Sequence, residues 1–283
     1  MELIFSEKCL EYRWPGHIEN PERIKEAVEF LTPHYKSVEP EPATEEDILD
    51  VHTQNHVDTI KNAKPNTYFD GDTPAPENIY EYALLSAGAA VVASQRNGFS
   101  ITRPPGHHAG RNGRALNAHT LGFCYFNNIA VAVKKLDQPT LILDIDGHHG
   151  NGTEEIFLLN PKVTVVSLHR HPAYPGTGFR SYANCLNYPL PEMAGDALYL
   201  KTLKQAFKLV NMKCIQKIAI SAGFDAHQGD IVSLNLTADC FRQIGRIVGE
   251  FNKPVFGVLE GGYIGENVGT DTHQLIQGIE EKQ

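Results

Sequence analysis

The sequence predicts a single α/β domain over residues 1–283, built on a mainly parallel sheet, and three observations carry that expectation. Helical and strand-like segments alternate along the chain. The strand runs are short and aliphatic, as strands covered on both faces are. Asp, His and Gly gather just after those runs, where open α/β sheets bind their ligands. With 283 residues, 41% of them hydrophobic, the chain can bury a large core. Pro40-Glu41-Pro42 and residues 64–76 are loop-like, but neither separates two motif-complete halves, and no repeat or low-complexity tract appears.

In chain order, Leu3-Ile4-Phe5 lies in a strand over residues 2–5, and apolar spacing near 21–31 gives the first helix. Thr44 followed by Glu45-Glu46-Asp47 is a helix-capping pattern, which assigns that acidic run to local structure rather than to substrate. Helical spacing returns at 78–96 and 126–136. Thr140-Leu141-Ile142-Leu143 opens a strand over 140–146. Strands at 163–168, 217–222 and 254–259 and helices at 196–212 and 237–251 complete the alternation, which implies crossover connections.

The chemistry-bearing residues sit at these strand ends. Asp144-Ile145-Asp146-Gly147-His148-His149 follows the 140-strand, and if the extended conformation persists, Asp144, Asp146 and His148 share one side. Carboxylate oxygens with an imidazole nitrogen suit a borderline divalent ion such as zinc, whereas an all-oxygen set suits magnesium or calcium. Residues 217–227 deliver Asp225 as a third protein ligand, and two Asp with one His leave a position open for water and substrate. The 254–263 run presents Tyr263 through Gly261-Gly262. Upstream, the stiff turn Arg103-Pro104-Pro105-Gly106 presents His107 and His108. Asp144 and Asn151 are candidate acceptors for their imidazole N–H groups. His169, His171 and His227 have no matching extra carboxylate cluster and are assigned ordinary hydrogen-bonding roles. The glycine runs at 147–152 and 257–262 lack dinucleotide or P-loop spacing.

These motifs together resemble the zinc-dependent histone deacetylase family, including its bacterial and archaeal acetylpolyamine amidohydrolase-like members. The resemblance rests on residues 103–109, Gly122-Phe123-Cys124-Tyr125-Phe126-Asn127-Asn128, residues 144–153, Ser167-Leu168-His169, Pro175-Gly176-Thr177-Gly178, Ser221-Ala222-Gly223-Phe224-Asp225 and Glu260-Gly261-Gly262-Tyr263, all in family order. Asn20-Pro21-Glu22-Arg23-Ile24 resembles the start of the family's first helix. The resemblance implies a three-layer arginase-deacetylase fold around an eight-stranded parallel sheet. It implies zinc held by Asp146, His148 and Asp225, His108 as general base and acid, His107 as its electrostatic support, and Tyr263 as donor to the oxyanion. It further implies Gly122, Phe123 and Tyr174 along an acyl-lysine tunnel and Asp72 at a rim that holds substrate backbone. Structural K+ or Na+ would lie beneath the site, at Asp144, Asp146, His148, Ser167 and Leu168, with a second ion near Phe157, Asn160 and Val163.

The activity so implied is zinc-assisted hydrolysis of the amide of an acyl-lysine, in a peptide or protein, with acetylpolyamines or other small N-acyl amines as the alternative substrates. An arginase-like dinuclear manganese ureohydrolase would want more bridging carboxylates, and Asn151 stands where an extra acid would help it. A silent acyl-lysine binder could dispense with His108 or Tyr263, and both are present. Polyamine-selective relatives carry a glutamate about where Val232 falls; valine leaves a distant substrate ammonium unpaired, which favours acyl-lysine. Residues 110–121 look longer than the usual link between the histidine pair and Gly-Phe-Cys, and a lid, an oligomer contact or a solvated loop are all open to them. A net charge of −9 argues against nucleic acid as a partner and accords with a cationic substrate. The nearly apolar run 83–93 is too short for a bilayer, and the first residues lack a basic region and cleavage site. Five cysteines without a Cys-x-x-Cys pair favour neither a disulfide scaffold nor a thiolate metal site. A cytoplasmic protein without membrane partners is the expectation.

Overall fold

The computed structural model describes residues 1–282. Its centre is a sheet of eight strands: β1 (Leu3–Ile4), β2 (Ser37–Val38), β3 (Phe99–Ser100), β4 (Thr140–Asp144), β5 (Val163–Arg170), β6 (Cys185–Leu190), β7 (Lys217–Ala222) and β8 (Val255–Leu259). Their spatial order is β6-β5-β4-β7-β8-β3-β1-β2, and every pairing is parallel. From β4 the chain runs outward through β5 and β6, then returns to the other side of β4 as β7. The order therefore reverses between β4 and β7, the kind of switch point at which such sheets open a crevice. Asp144 pairs in register with Ser221 there, so the loops after both strands emerge side by side.

All five residues of β4 are buried, because helices cover both faces. Leu141, Leu143, Ile218 and Ile220 pack into one core layer with α1 (Glu22–Leu31), α7 (Gly195–Leu209), α8 (Ala238–Gly249) and α9 (Gly265–Glu280). Ile142, Ala219 and Phe256 face the other layer, with α2 (Glu45–Leu49), α3 (Gln54–Lys61), α4 (Ile79–Arg96), α5 (Asn128–Leu136) and α6 (Asn151–Phe157). This strict alternation is the two-residue period of a strand, and each such aliphatic side chain contributes about 1.5–3 kcal/mol on burial. Thr44 and Asp47 close a reciprocal capping box at α2, as the acidic run predicted. Among the described residues, no helix is long and apolar enough to cross a membrane.

Several elements escaped the pattern reading. β2 and β3 have two residues each, too few to show a period. α9 is rich in Gly, Thr and Gln, and its glycines serve packing: a Cβ on Gly278 would lie 2.1 Å from the carbonyl oxygen of Arg242 in α8. The 110–121 segment is anchored rather than a loose loop. It begins as a two-stranded hairpin, Ala109–Gly110 with Gly113–Arg114, and Glu155 of α6 accepts hydrogen bonds from the backbone N–H groups of Arg111 and Leu116 at 3.1 and 3.2 Å.

Candidate active site

β4 ends at Asp144, and the extended conformation stops with it. The expected grouping of Asp144 with Asp146 and His148 is therefore corrected: Asp144 turns to His107, while Asp146 and His148 meet Asp225 from the loop after β7. One ligand-type atom from each of the three lies within 4.8 Å of the others. Asp146 Oδ2 accepts from Gly261 N and Asp225 Oδ1 from Gly147 N, both at 2.8 Å. Asp225 Oδ2 is buried without a hydrogen-bond partner; it lies 2.9 Å from His148 Nδ1, out of line for a hydrogen bond. The carboxylates demand glycine nearby, since a Cβ on Gly223 would fall 1.9 Å from Asp146 Oδ2, and one on Gly261 2.6 Å from an oxygen of each carboxylate.

Burial and the adjacent Asp146 push Asp225 up to about 6. Burial opposes charge on His148, but Asp225 and Asp146 outweigh it and lift the imidazole to about 10. Two buried carboxylates with one oxygen unspent, converging on an imidazole nitrogen, are a donor set that fits a divalent cation with mixed oxygen and nitrogen preference.

His107 and His108 lie beside this cluster with ring centroids 4.0 Å apart and planes tilted by 48°, and their partners differ. His107 Nδ1 lies 3.0 Å from Asp144 Oδ2, a carboxylate. Burial disfavours its charge, yet Asp146, Asp144 and Glu260 hold His107 well above the ordinary imidazole range. His108 Nδ1 instead lies 2.7 Å from Asn151 Oδ1, a neutral amide. The Asn151 amide donates its own N–H to the Ala115 carbonyl at 2.9 Å, which fixes its oxygen toward His108. His108 must then donate from Nδ1 and keep Nε2 as a lone pair. Burial, His107 and His148 push it well below the ordinary range, so it stays neutral.

A cavity of ≈ 280 Å³ opens over these groups, walled by Phe123, Tyr174, Tyr263, Gly122 and Asp72 among others. Gly122 has φ +57, and a Cβ there would lie 2.5 Å from the His108 ring. Phe123 follows at φ +68, a conformation strained for an aromatic residue. It is held by its N–H on Thr73 Oγ1 at 3.1 Å and by Gly122 N on Asp72 Oδ1 at 3.2 Å. Asp72 Oδ1 also accepts from the Thr73 hydroxyl at 2.7 Å. Val232 does not reach the mouth: it is 3% exposed and packed against the bare Cα of Gly147. The wall position belongs to its neighbour Ile231, 46% exposed and lining the cavity. The expected rim position of Val232 is therefore corrected: the turn after Asp225 directs Ile231, not Val232, to the cavity.

The two monovalent-ion sites fare differently. At the first, His169 Nε2 donates to the Gly178 carbonyl, so Nδ1 accepts from the Ser167 hydroxyl at 2.9 Å. The lone pairs of Ser167 stay available beside Asp144, its register partner. At the second, the carbonyls of Phe157 and Val163 each accept a hydrogen bond of 2.8 Å from Nδ2 of Asn184. An amide NH₂ occupies the bonding directions a cation would need, and the Asn160 carbonyl accepts from Val163 N. These residues do not fit a second ion.

Other residues matter that had no assigned role. Glu260 is fully buried and accepts from Gly106 N, His107 N and the Ser221 hydroxyl at 2.7–3.0 Å, holding the histidine turn against β7 and β8. Arg103 pairs with Glu19, 84 positions away, at 2.6 and 2.7 Å, and also donates to the carbonyls of Cys9 and Tyr12. Glu260 stood inside a quoted motif; nothing local marks Glu19. His227 pairs with Asp271 and His169 with Ser167, as hydrogen-bonding roles require, but the same role for His171 is corrected: its Nδ1 is buried without a hydrogen-bond partner.

This sheet, with its crevice at the switch point, is the arginase-deacetylase fold, and the chain is a hydrolase of the deacetylase and amidohydrolase class. It belongs to the histone deacetylase family: a model of the histone deacetylase domain matches residues 17–279. A probable deacetylase of Archaeoglobus fulgidus is 37% identical over 92% of this chain and 80% of its own length. Acetylpolyamine amidohydrolase 2 of Pseudomonas aeruginosa is 30% identical, over 75% of this chain and 67% of its own. The solved HD domain of HDA15 superposes with a TM-score of 0.87 at 30% identity, covering 97% of this chain and 87% of that one.

Proposed function

We propose that residues 1–283 form one zinc-dependent deacetylase domain that hydrolyses the amide of an acyl-lysine side chain in a peptide or protein. The observation that carries this reading is the unlike wiring of the two histidines beside the Asp146-His148-Asp225 cluster: His107 faces the Asp144 carboxylate and is held charged by the acids around it, whereas His108 meets only the neutral Asn151 amide and is kept neutral by burial and by His107 and His148. Zinc held by that cluster would supply carbonyl polarisation and a water acidic enough to ionise near neutral pH. His108 takes a proton at Nε2 and returns it to the departing amine. His107, being cationic, favours the negative charge that develops nearby. Tyr263 remains a hydrogen-bond donor throughout, because burial pushes its hydroxyl well above the ordinary phenol range; it lines the cavity, and in this reading it donates to the oxyanion. Phe123 and Tyr174 flank the alkyl chain, and Ser167 beside Asp144 gives one monovalent ion a seat beneath. Five free thiols accord with a reducing, cytoplasmic setting.

Tyr263→Phe tests the reading directly. It should keep the fold and the zinc, while kcat on an acetyl-lysine peptide falls about 10²- to 10³-fold. His108→Ala should also retain zinc and lose turnover through proton transfer. A Tyr263→Phe enzyme working at the parental rate would remove the tyrosine from the chemistry.

Ile231 supports lysine over polyamine, since an apolar wall gives a distant substrate ammonium no partner. The parent should prefer acetyl-lysine peptide to acetylputrescine in kcat/KM. Ile231→Glu should shift the ratio about 10-fold toward acetylputrescine, the low end for a charge-assisted contact because the position is half exposed. The competing reading, a polyamine deacetylase, draws on Asp72 in the cavity wall; a parental preference for acetylputrescine would establish it.

A further inference from the structure

We propose that Asp230 is a positioning residue for Tyr263, a single carboxylate that fixes the tyrosine and the wall residue Ile231 together. The inference rests on the role given to Tyr263 above. Asp230 is 8% exposed, in the turn that follows the Asp225 loop. Its Oδ2 accepts from the backbone N–H of Tyr263 at 2.9 Å and of Ile264 at 3.3 Å, and its Oδ1 accepts from Ile231 N at 2.7 Å. Both oxygens are therefore engaged with backbone donors. That argues against Asp230 as the anion for a substrate ammonium and gives it another task.

The tyrosine segment needs such a tether. Tyr263 follows Gly261 and Gly262, and Gly262 sits at φ +109, a conformation open to glycine and to few other residues. Two glycines in series leave the backbone ahead of the tyrosine intrinsically loose. Arg23 grips it on one side, its Nε donating to the Gly262 carbonyl and its guanidinium lying 4.9 Å from the centroid of the Tyr263 ring. Asp230 grips it on the other side through the next two N–H groups. The acceptor is a buried carboxyl group that takes three backbone N–H groups at once, so it ties the segments on which they lie to one another. A hydroxyl must be held to within a fraction of an ångström of the developing oxyanion, and small misplacements cost rate steeply. Because the same carboxylate binds Ile231, the wall and the tyrosine keep their spacing as one unit.

A double-mutant cycle on the zinc-loaded enzyme separates this role from general support. Asp230→Ala should lower kcat about 10- to 100-fold with KM little changed. In the Tyr263→Phe background the same change should cost under about 3-fold, because the hydroxyl it serves is already gone. Without substrate, amide exchange at Tyr263 and Ile264 should accelerate in Asp230→Ala. Asp230→Asn, which keeps one acceptor oxygen, should restore most of kcat. Should Asp230→Ala not fold, Asp230→Ser, alone and with Tyr263→Phe, is read by the same criterion. Equal losses in both backgrounds, no loss in either, or unchanged amide exchange would overturn the clamp. A slow Tyr263→Phe with equal losses sinks only the clamp; a Tyr263→Phe at the parental rate sinks the tyrosine's own role.

Discussion

Asp225→Ala is expected to lose its divalent ion and to lower turnover by about 10³-fold, since metal polarisation contributes several kcal/mol at 1.36 kcal/mol per tenfold. Elemental analysis and kcat on an acetyl-lysine peptide check it together. Three side chains make the cluster, and Asp225 brings the oxygen that has no hydrogen-bond partner of its own, so its removal takes away both charge and a coordinating atom. In the metal-free state Asp225 is repelled by Asp146, which with burial holds it up near 6, and is attracted by His148, so its removal takes away one repulsion and one ion pair together. Asp225→Asn is the sharper variant because its side-chain oxygen can still accept from Gly147 N, where Asp225 Oδ1 now accepts at 2.8 Å. Parental zinc content with parental activity in either variant would show that the ion is held elsewhere.

What could be read from the sequence, and what could not, divides along chain distance. β4, β7 and β8 are uninterrupted aliphatic runs, and their side-chain period reports two covered faces without any tertiary knowledge. Asp146, His148, Asp225 and Tyr263 were legible because each directly follows such a run, and strand ends converge on one crevice. The candidate acceptors Asp144 and Asn151 also came through, since few residues near the strand end can accept an imidazole N–H; which histidine each one meets was not legible. The extended grouping at 144–148 failed at the one place where the chain has to turn to build a site. Val232 failed for a related reason: a count fixes a position along a turn, not which way a side chain leaves it. The second ion site failed because its candidate contacts are carbonyls, which carry no side-chain signature, and because Asn184, which takes two of them, lies 21 residues past Val163. α9 was missed because glycines that lower helix propensity are what let it approach α8 and α1.

Arg103→Met should be the most destabilising change outside the catalytic groups, by about 3–5 kcal/mol in urea unfolding at pH 7, the usual consequence of stripping one partner from a buried ion pair. The Arg103 and Glu19 side chains are almost wholly buried, and the guanidinium has two carboxylate oxygens and two backbone carbonyls on it. Burial works to raise the Glu19 carboxyl, and Arg103, with Arg23 and Tyr12 behind it, outweighs burial and holds it at about 2, against an ordinary 4.5. A carboxylate depressed in this way stabilises the fold fully above pH 4.5, and that contribution fades only as pH falls toward 2. The parent should therefore keep this term between pH 7 and pH 5. In Arg103→Met the balance tips toward burial, the folded Glu19 carboxyl rises above its unfolded value, and protonation now stabilises the fold as pH falls through that raised value. Groups common to both proteins cancel in the difference, so the stability gap between parent and variant should narrow from pH 7 to pH 5. A gap that is absent, or that stays constant with pH, would mean that Glu19 does not depend on Arg103 for its charge. The site feels the pair through the chain itself: Arg103 begins the turn that presents His107 and His108, so the ion pair that fixes its head also fixes where the two imidazoles meet Asp144 and Asn151.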